Sequence, residues 1–132
     1  MDKIRKFFQK DRYAALSGIE IVEIGEGRAK AQLTVDDRHL NGVGVVHGGA
    51  IFTLADLAFA VASNSHGTVA VAINAGISFL KAVRSGTLHA EAVEISRHPK
   101  LGSYTITVTD DTGEVVAIFQ GMVYRKGDPL PE

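Results

Sequence analysis

The sequence contains no cysteine in 132 residues, which excludes disulfides, thiolate zinc sites and a cysteine nucleophile and suits a reducing, cytoplasmic setting. It also lacks an excess of either charge. Lys and Arg number 14 against 15 Asp and Glu, a formal net charge of −1, so the electrostatic footprint of a nucleic-acid binder is missing. A membrane span needs about 20 apolar residues in a row, whereas the longest apolar run lies within 50–62 and is interrupted by Asp56. The opening segment, MDKIRKFFQKDRYAAL, places charges where a signal peptide needs its apolar stretch. His39, His47, His66, His89 and His98 show no ligand spacing such as H-x-x-x-H, so no metal site is expected. The glycines Gly42-x-Gly44-x-x-x-Gly48 do not match G-x-G-x-x-G, and no Gly-Lys-Ser/Thr occurs, which removes the common nucleotide-binding loops.

Hydrophobic residues make up 45% of the chain, enough at this length for one core and one domain spanning 1–132. Ile4, Phe7, Phe8 and Leu16 fall near helical spacing and predict a short amphipathic helix within 1–16, docked on the body of the domain. The period then changes. In RAKAQLTV, Ala29, Ala31, Leu33 and Val35 alternate with polar residues, and with GIEIVEI and Gly25-Glu26-Gly27 before them they predict a hairpin over 19–35. Four further strand-like runs, 68–80, 87–97, 103–109 and 114–124, are separated by short turn-forming stretches, as antiparallel neighbours require. Within 87–97 the apolar phase passes from Leu88, Ala90 and Ala92 to Val93 and Ile95, which predicts a β-bulge near that point. Between hairpin and meander lies one helix in which only Thr53 and Asp56 are polar over 51–62. A helix apolar on nearly every side is a buried one, so the expected class is α+β, with an antiparallel sheet covering a central helix.

Asp56 is the exception that helix must accommodate. An ionised carboxylate removed from water costs several kcal/mol unless it is partnered, neutralised or placed at a cavity. The loop before it supplies a use. Gly42, Gly44, Gly48 and Gly49 permit close approach of backbone to a ligand, and the free N–H groups at a helix start favour negative charge. The Gly48 amide is thus a candidate oxyanion donor, with His47 and Asn41 placed to orient substrate or water. Eight residues separate Gly48 from Asp56, about 12 Å along one helix, and a base and an oxyanion donor must each lie about 3 Å from the reacting group. Both act on one carbonyl only if a second copy supplies one of them, which predicts a composite site between two antiparallel central helices.

The motif Asn41-Gly-x-Gly-x-x-His47-Gly48-Gly49-Ala-x-x-x-Leu54-Ala55-Asp56, followed by Ala58 to Asn64, resembles the signature of hotdog-fold acyl-CoA thioesterases of the PaaI-like, phenylacetate-pathway type. The order of elements resembles that pattern over nearly the whole chain. The resemblance implies a long helix wrapped by a curved antiparallel sheet, dimers joined sheet to sheet, and a tetramer of two dimers. It assigns Asp56 the role of general base or nucleophile, Gly48 that of oxyanion donor, and Asn41 and His47 the holding of water and thioester. Coenzyme A enters as part of an acyl-CoA substrate and no separate cofactor is implied. Its phosphates call for basic residues, for which Lys81, Arg84, Arg97 and Lys100 are candidates, and Phe52, Phe59 and Val61 are candidate acyl-pocket residues that suit an aryl or medium-chain group.

Departures from the family pattern are visible as well. Several relatives carry Ser or Thr near the position of Ala72, so Asn74 or Thr53 would have to substitute here, and Ala82 stands where proline is frequent. Two other readings share the fold. A hydroxyacyl dehydratase usually carries a glutamate on the central helix, and a non-catalytic acyl-CoA sensor would bind thioester without turnover.

Overall fold

In the computed structural model, which describes residues 1–131, the chain begins with two short helices, α1 (Asp2–Phe8) and α2 (Arg12–Leu16). The single helix expected over 1–16 is therefore divided. Asp11 explains the division, because its side chain accepts a hydrogen bond from the Ala14 N–H at 3.0 Å and starts a new helix. Ile4 and Ala14 are buried, and Phe7 and Phe8 pack against the core, so the segment docks on the body of the fold.

The hairpin follows as β1 (Ile19–Gly25) and β2 (Arg28–Thr34), closed by the two residues Glu26 and Gly27. A 3-10 turn (Asp37–His39) and the glycine-rich loop lead into α3 (Gly48–Asn64), and β3 (Thr68–Phe79), β4 (Thr87–Arg97), β5 (Leu101–Thr109) and β6 (Val115–Pro129) complete the chain. The six strands form one antiparallel sheet in the order β1-β2-β4-β5-β6-β3. It wraps around α3 in the hotdog arrangement, and β6 runs five residues beyond the expected end of the last run because it stays paired with the start of β3. Among the described residues no helix is long and apolar enough to cross a membrane.

The predicted bulge in β4 is present but sits further along. Pairing with β2 is continuous from Thr87 to Val93, and the register with β5 slips between Glu94 and Ser96. Val93 and Ile95 are exposed on the outer face, so the change of apolar phase reports a patch on that face rather than the position of the bulge.

Core packing is tightest where α3 meets the meander. Phe59 is 1% exposed and lies against Tyr104 and Phe119, at ring-centroid distances of 5.8 and 5.5 Å. On β6, a Cβ built on Gly121 would stand 2.5 Å from the Phe59 ring, which those neighbours prevent from withdrawing. Gly121→Ala is therefore expected to destabilise the fold by about 1–3 kcal/mol through overpacking. A lower urea midpoint at unchanged m-value is the expected reading, and an unchanged midpoint would show that the ring has room to move.

Candidate active site

α3 buries Ile51, Leu54, Ala55, Leu57, Ala58, Val61 and Ala62 against the sheet. Gly49, Thr53, Asp56 and Ala60 fall at i, i+4, i+7 and i+11 and form the less buried stripe of the same helix. Asp56 thus sits at the margin between core and open face. No hydrogen bond or ion pair to its carboxylate is found among the described residues. Burial pushes its pKa above the ordinary carboxylate value, and the charge of nearby Asp11 adds to the rise. Thr53, one turn earlier, donates its hydroxyl proton to the Gly49 carbonyl at 2.7 Å, which leaves its lone pairs facing the open side.

The helix starts with a cap the sequence motif contains without revealing. His47 is the N-cap, and its Nδ1 accepts the Gly49 N–H at 2.8 Å. In the neutral ring the proton then resides on Nε2, so His47 presents a donor to the open side rather than a base. A Cβ on Gly49 would lie 2.9 Å from that Nδ1, which explains the glycine. Among the described residues the Gly48 N–H has no acceptor. It is an orphan donor at the positive end of a 17-residue helix, beside the Phe79 ring, whose Cζ is 3.1 Å from where a Cβ on Gly48 would be.

Asn41 holds the loop. Its Oδ1 accepts from the Val43 and Val45 N–H groups at 3.0 and 3.2 Å, so its carbonyl end is committed to backbone and its amide end remains for a ligand. Gly48 and Asp56 lie two turns apart on one helix, as the spacing argument requires, and within one chain they do not converge.

The four basic candidates fall into two pairs at opposite ends of the sheet. Lys81 is tied to Asp110 and Glu114 at 2.5 and 3.0 Å, and Arg84 Nη1 donates to the Gly44 carbonyl at 3.3 Å. At the other end Arg97 Nη1 donates to His66 Nδ1 at 2.8 Å, His66 contacts Glu94 at 2.8 Å, and Lys100 lies over the Tyr124 ring at 5.9 Å. Phe59 and Val61 are core residues, each 1% exposed, and do not line an open pocket as expected. Only Phe52 is half-buried, edge-on to Phe119 at 5.1 Å. Asn74 pairs with Met122 and groups with Ile95 and Ser103 on the outer face of the sheet, away from α3. That leaves Thr53 as the hydroxyl nearest Asp56 along the helix.

Two open clefts flank the start of α3. One of about 420 Å³ is lined by Val45, Gly48, Phe79 and Lys81. The other, about 400 Å³, runs from His47, Gly49 and Thr53 to Tyr13 and Leu16 on α2. Sequence reading missed the second, because the contact between the N-terminal segment and the helix start is a tertiary one.

The sequence model of the thioesterase superfamily matches residues 43–117 of the chain. A relative from Archaeoglobus fulgidus is 40% identical over 133 residues, covering 99% of this chain and 86% of its own. Acyl-coenzyme A thioesterase PaaI of Escherichia coli is 39% identical over 93% of this chain and 89% of its own. The solved structure of E. coli PaaI superposes with a TM-score of 0.91, covering 96% of this chain and 92% of that one at 36% identity. A Streptococcus mutans protein solved bound to acetyl CoA superposes at 0.80, with 27% identity over 85% of this chain and 91% of that one.

Proposed function

Because the chain belongs to the thioesterase superfamily and is a thioester hydrolase of the PaaI-like type, we propose that it hydrolyses aryl- or medium-chain acyl-CoA thioesters to free acid and coenzyme A. The observation that carries this reading is the pairing on one helix of an orphan N–H at Gly48 with a partnerless, desolvated carboxylate at Asp56. Asp56 acts as base toward water or as nucleophile toward the carbonyl carbon. The Gly48 N–H of a second copy takes up the charge developing on the carbonyl oxygen. As the tetrahedral adduct collapses, the C–S bond breaks and coenzyme A departs as thiolate; in the water route this leaves the free acid, and in the nucleophile route it leaves an Asp56 acyl anhydride that water then cleaves to the free acid and the carboxylate. His47 Nε2–H and the Asn41 amide are donors for the thioester region, and Thr53 positions the attacking water. Lys81, Arg84, Arg97 and Lys100 are the basic candidates for the phosphates, Lys81 and Arg97 only by giving up the carboxylate and His66 contacts they make here.

One edge of the sheet supports assembly as a dimer. The outer edge of β3 is unpaired over 12 residues, with Ile73 54% exposed, and such an edge is a template for a second strand. In this reading two dimers form a tetramer, the protein works in the cytoplasm, and neither nucleic acid nor membrane is a partner. The name of E. coli PaaI and the acetyl CoA bound to the S. mutans protein support coenzyme A thioesters as the substrate class, and the phenylacetate operon of E. coli PaaI favours an aryl-acyl group.

The test is the release of free coenzyme A thiol from a panel running from butyryl- and octanoyl- to benzoyl- and phenylacetyl-CoA. Turnover of at least one aryl or medium-chain member is expected. Binding of acyl-CoA with no turnover on any of them would overturn the enzyme reading in favour of a sensor.

A further inference from the structure

The cleft between α2 and the start of α3 shares His47 and Thr53 with the chemistry described above, while its α2 side has no role there. From its geometry we infer that α2 forms the wall against which the acyl group is selected, with Tyr13 and Leu16 as specificity-determining residues. The inference rests on the thioesterase reading and extends it to a segment outside the signature motif.

Three observations carry it. First, Tyr13 and Leu16 are 67% and 72% exposed, among the largest exposures of any apolar side chains in the described residues, and they stand on the same side of a five-residue helix. Exposed apolar groups that line a concavity rather than scatter singly mark a binding surface. Second, the cleft they border is about 400 Å³, within the range of small-molecule sites. Leu40 and Ala50 complete an apolar lining, and polar atoms come from His47 and Thr53 at its inner end. That inner end lies one helical turn from Asp56, so an acyl chain whose carbonyl reaches Asp56 has this cleft directly beside it.

Third, the wall is held in place by the segment that precedes the catalytic loop. Arg38 Nη1 donates to the Leu16 carbonyl at 2.7 Å, and buried His39 bonds the Ser17 carbonyl through Nε2 at 2.6 Å. His39 Nδ1 accepts the Asp36 N–H at 2.9 Å, so both ring nitrogens are used, Nδ1 as acceptor and Nε2 as donor. The His39 carbonyl in turn accepts the N–H of His47, the α3 cap, at 2.7 Å. One buried histidine therefore ties the end of α2 to the cap of the catalytic helix. A wall fixed relative to the reacting groups discriminates by shape, where a loose one would adapt.

The test compares kcat/KM for butyryl-, octanoyl- and phenylacetyl-CoA in the wild type, Tyr13→Ala, Tyr13→Phe and Leu16→Ala, with oligomeric state checked by size-exclusion chromatography. Tyr13→Ala and Leu16→Ala are expected to change the octanoyl or phenylacetyl rate relative to butyryl by about tenfold, which is the scale on which an apolar pocket discriminates. Tyr13→Phe keeps the ring and should keep the wild-type profile. Rates that fall by one common factor on all three substrates, rates that do not change, or variants that lose their oligomeric state each overturn the inference. A wild type inactive on every thioester would instead overturn the proposed function, so the two failures are distinct.

Discussion

Asp56→Asn is expected to lower kcat on the best acyl-CoA by about 10² or more, the scale of losing a general base, while the protein keeps its fold and oligomeric state. The substitution preserves size and shape, removes the charge and turns one acceptor oxygen into an amide donor that cannot take a proton from water. Its effect on stability runs opposite to its effect on rate. Burial and the Asp11 charge raise the pKa of Asp56 in the folded chain above its unfolded value, so the protonated form is the one the fold favours. That stabilisation is complete below the unfolded pKa and is lost as pH rises through the folded one, so ionised Asp56 burdens the fold at neutral pH. The asparagine variant is accordingly expected to melt at an equal or higher temperature, as happens where a catalytic group is held in an unfavourable setting. In the proposed mechanism the working form of Asp56 is the carboxylate, so wild-type kcat/KM should fall on the acid side at a pH above the ordinary aspartate value. Asp11→Ser keeps an α2 cap and removes the neighbouring charge, which should move that acid limb downward. A thermal melt and a pH–rate profile read both, and full activity in the asparagine variant would remove Asp56 from the chemistry.

The second large effect concerns the backbone. Gly48→Pro should lower kcat by about 10²–10³, the cost of one oxyanion donor, because proline deletes the orphan N–H and little else. Position N1 of a helix favours proline, whose ring supplies the helical φ there. The preceding His47, at φ −60° and ψ 134°, already has the extended conformation that a following proline demands. The new side chain meets the edge of the Phe79 ring, on the rim of an open cleft. This variant also tests the composite site directly. Neither Gly48→Pro nor Asp56→Asn alone is active, yet co-expression of the two assembles mixed dimers in which one of the two sites has both groups intact. Random pairing then restores about a quarter of the wild-type rate if each site draws on both subunits. If each site lies within one chain, the mixture stays as inactive as its components.

Most of the architecture was legible in the chain because its elements announce themselves locally. The alternation of Ala29, Ala31 and Leu33 and the turn at Glu26-Gly27 define a hairpin that the structure contains, paired outward from Gly25 and Arg28 with one register slip between Ile21 and Glu23 that the alternation did not indicate. The run 87–97 coincides with β4. Periodicity misled where the reason for an apolar residue was not the core. Val93 and Ile95 belong to an outer patch. Phe59 and Val61, apolar and adjacent to the motif, are core rather than pocket because the curved sheet closes over that side of α3.

The sequence by itself indicated most of the elements, their order and the placement of an acid two turns into a helix that begins with two glycines, and it led to the expectation that a second subunit brings the two groups together. Each of these follows from spacing along one chain, which local geometry translates directly into distance. Only the tertiary structure decided how those residues are used. It showed that His47 spends Nδ1 on its own helix, that Asn41 spends its carbonyl on the loop, that Lys81 is already paired, that Asn74 faces away, and that α2 borders the site. The first two outcomes depend on competition among polar partners for the same atoms within a few residues and the other three on contacts between segments 20 or more residues apart, and no periodicity in the sequence encodes either.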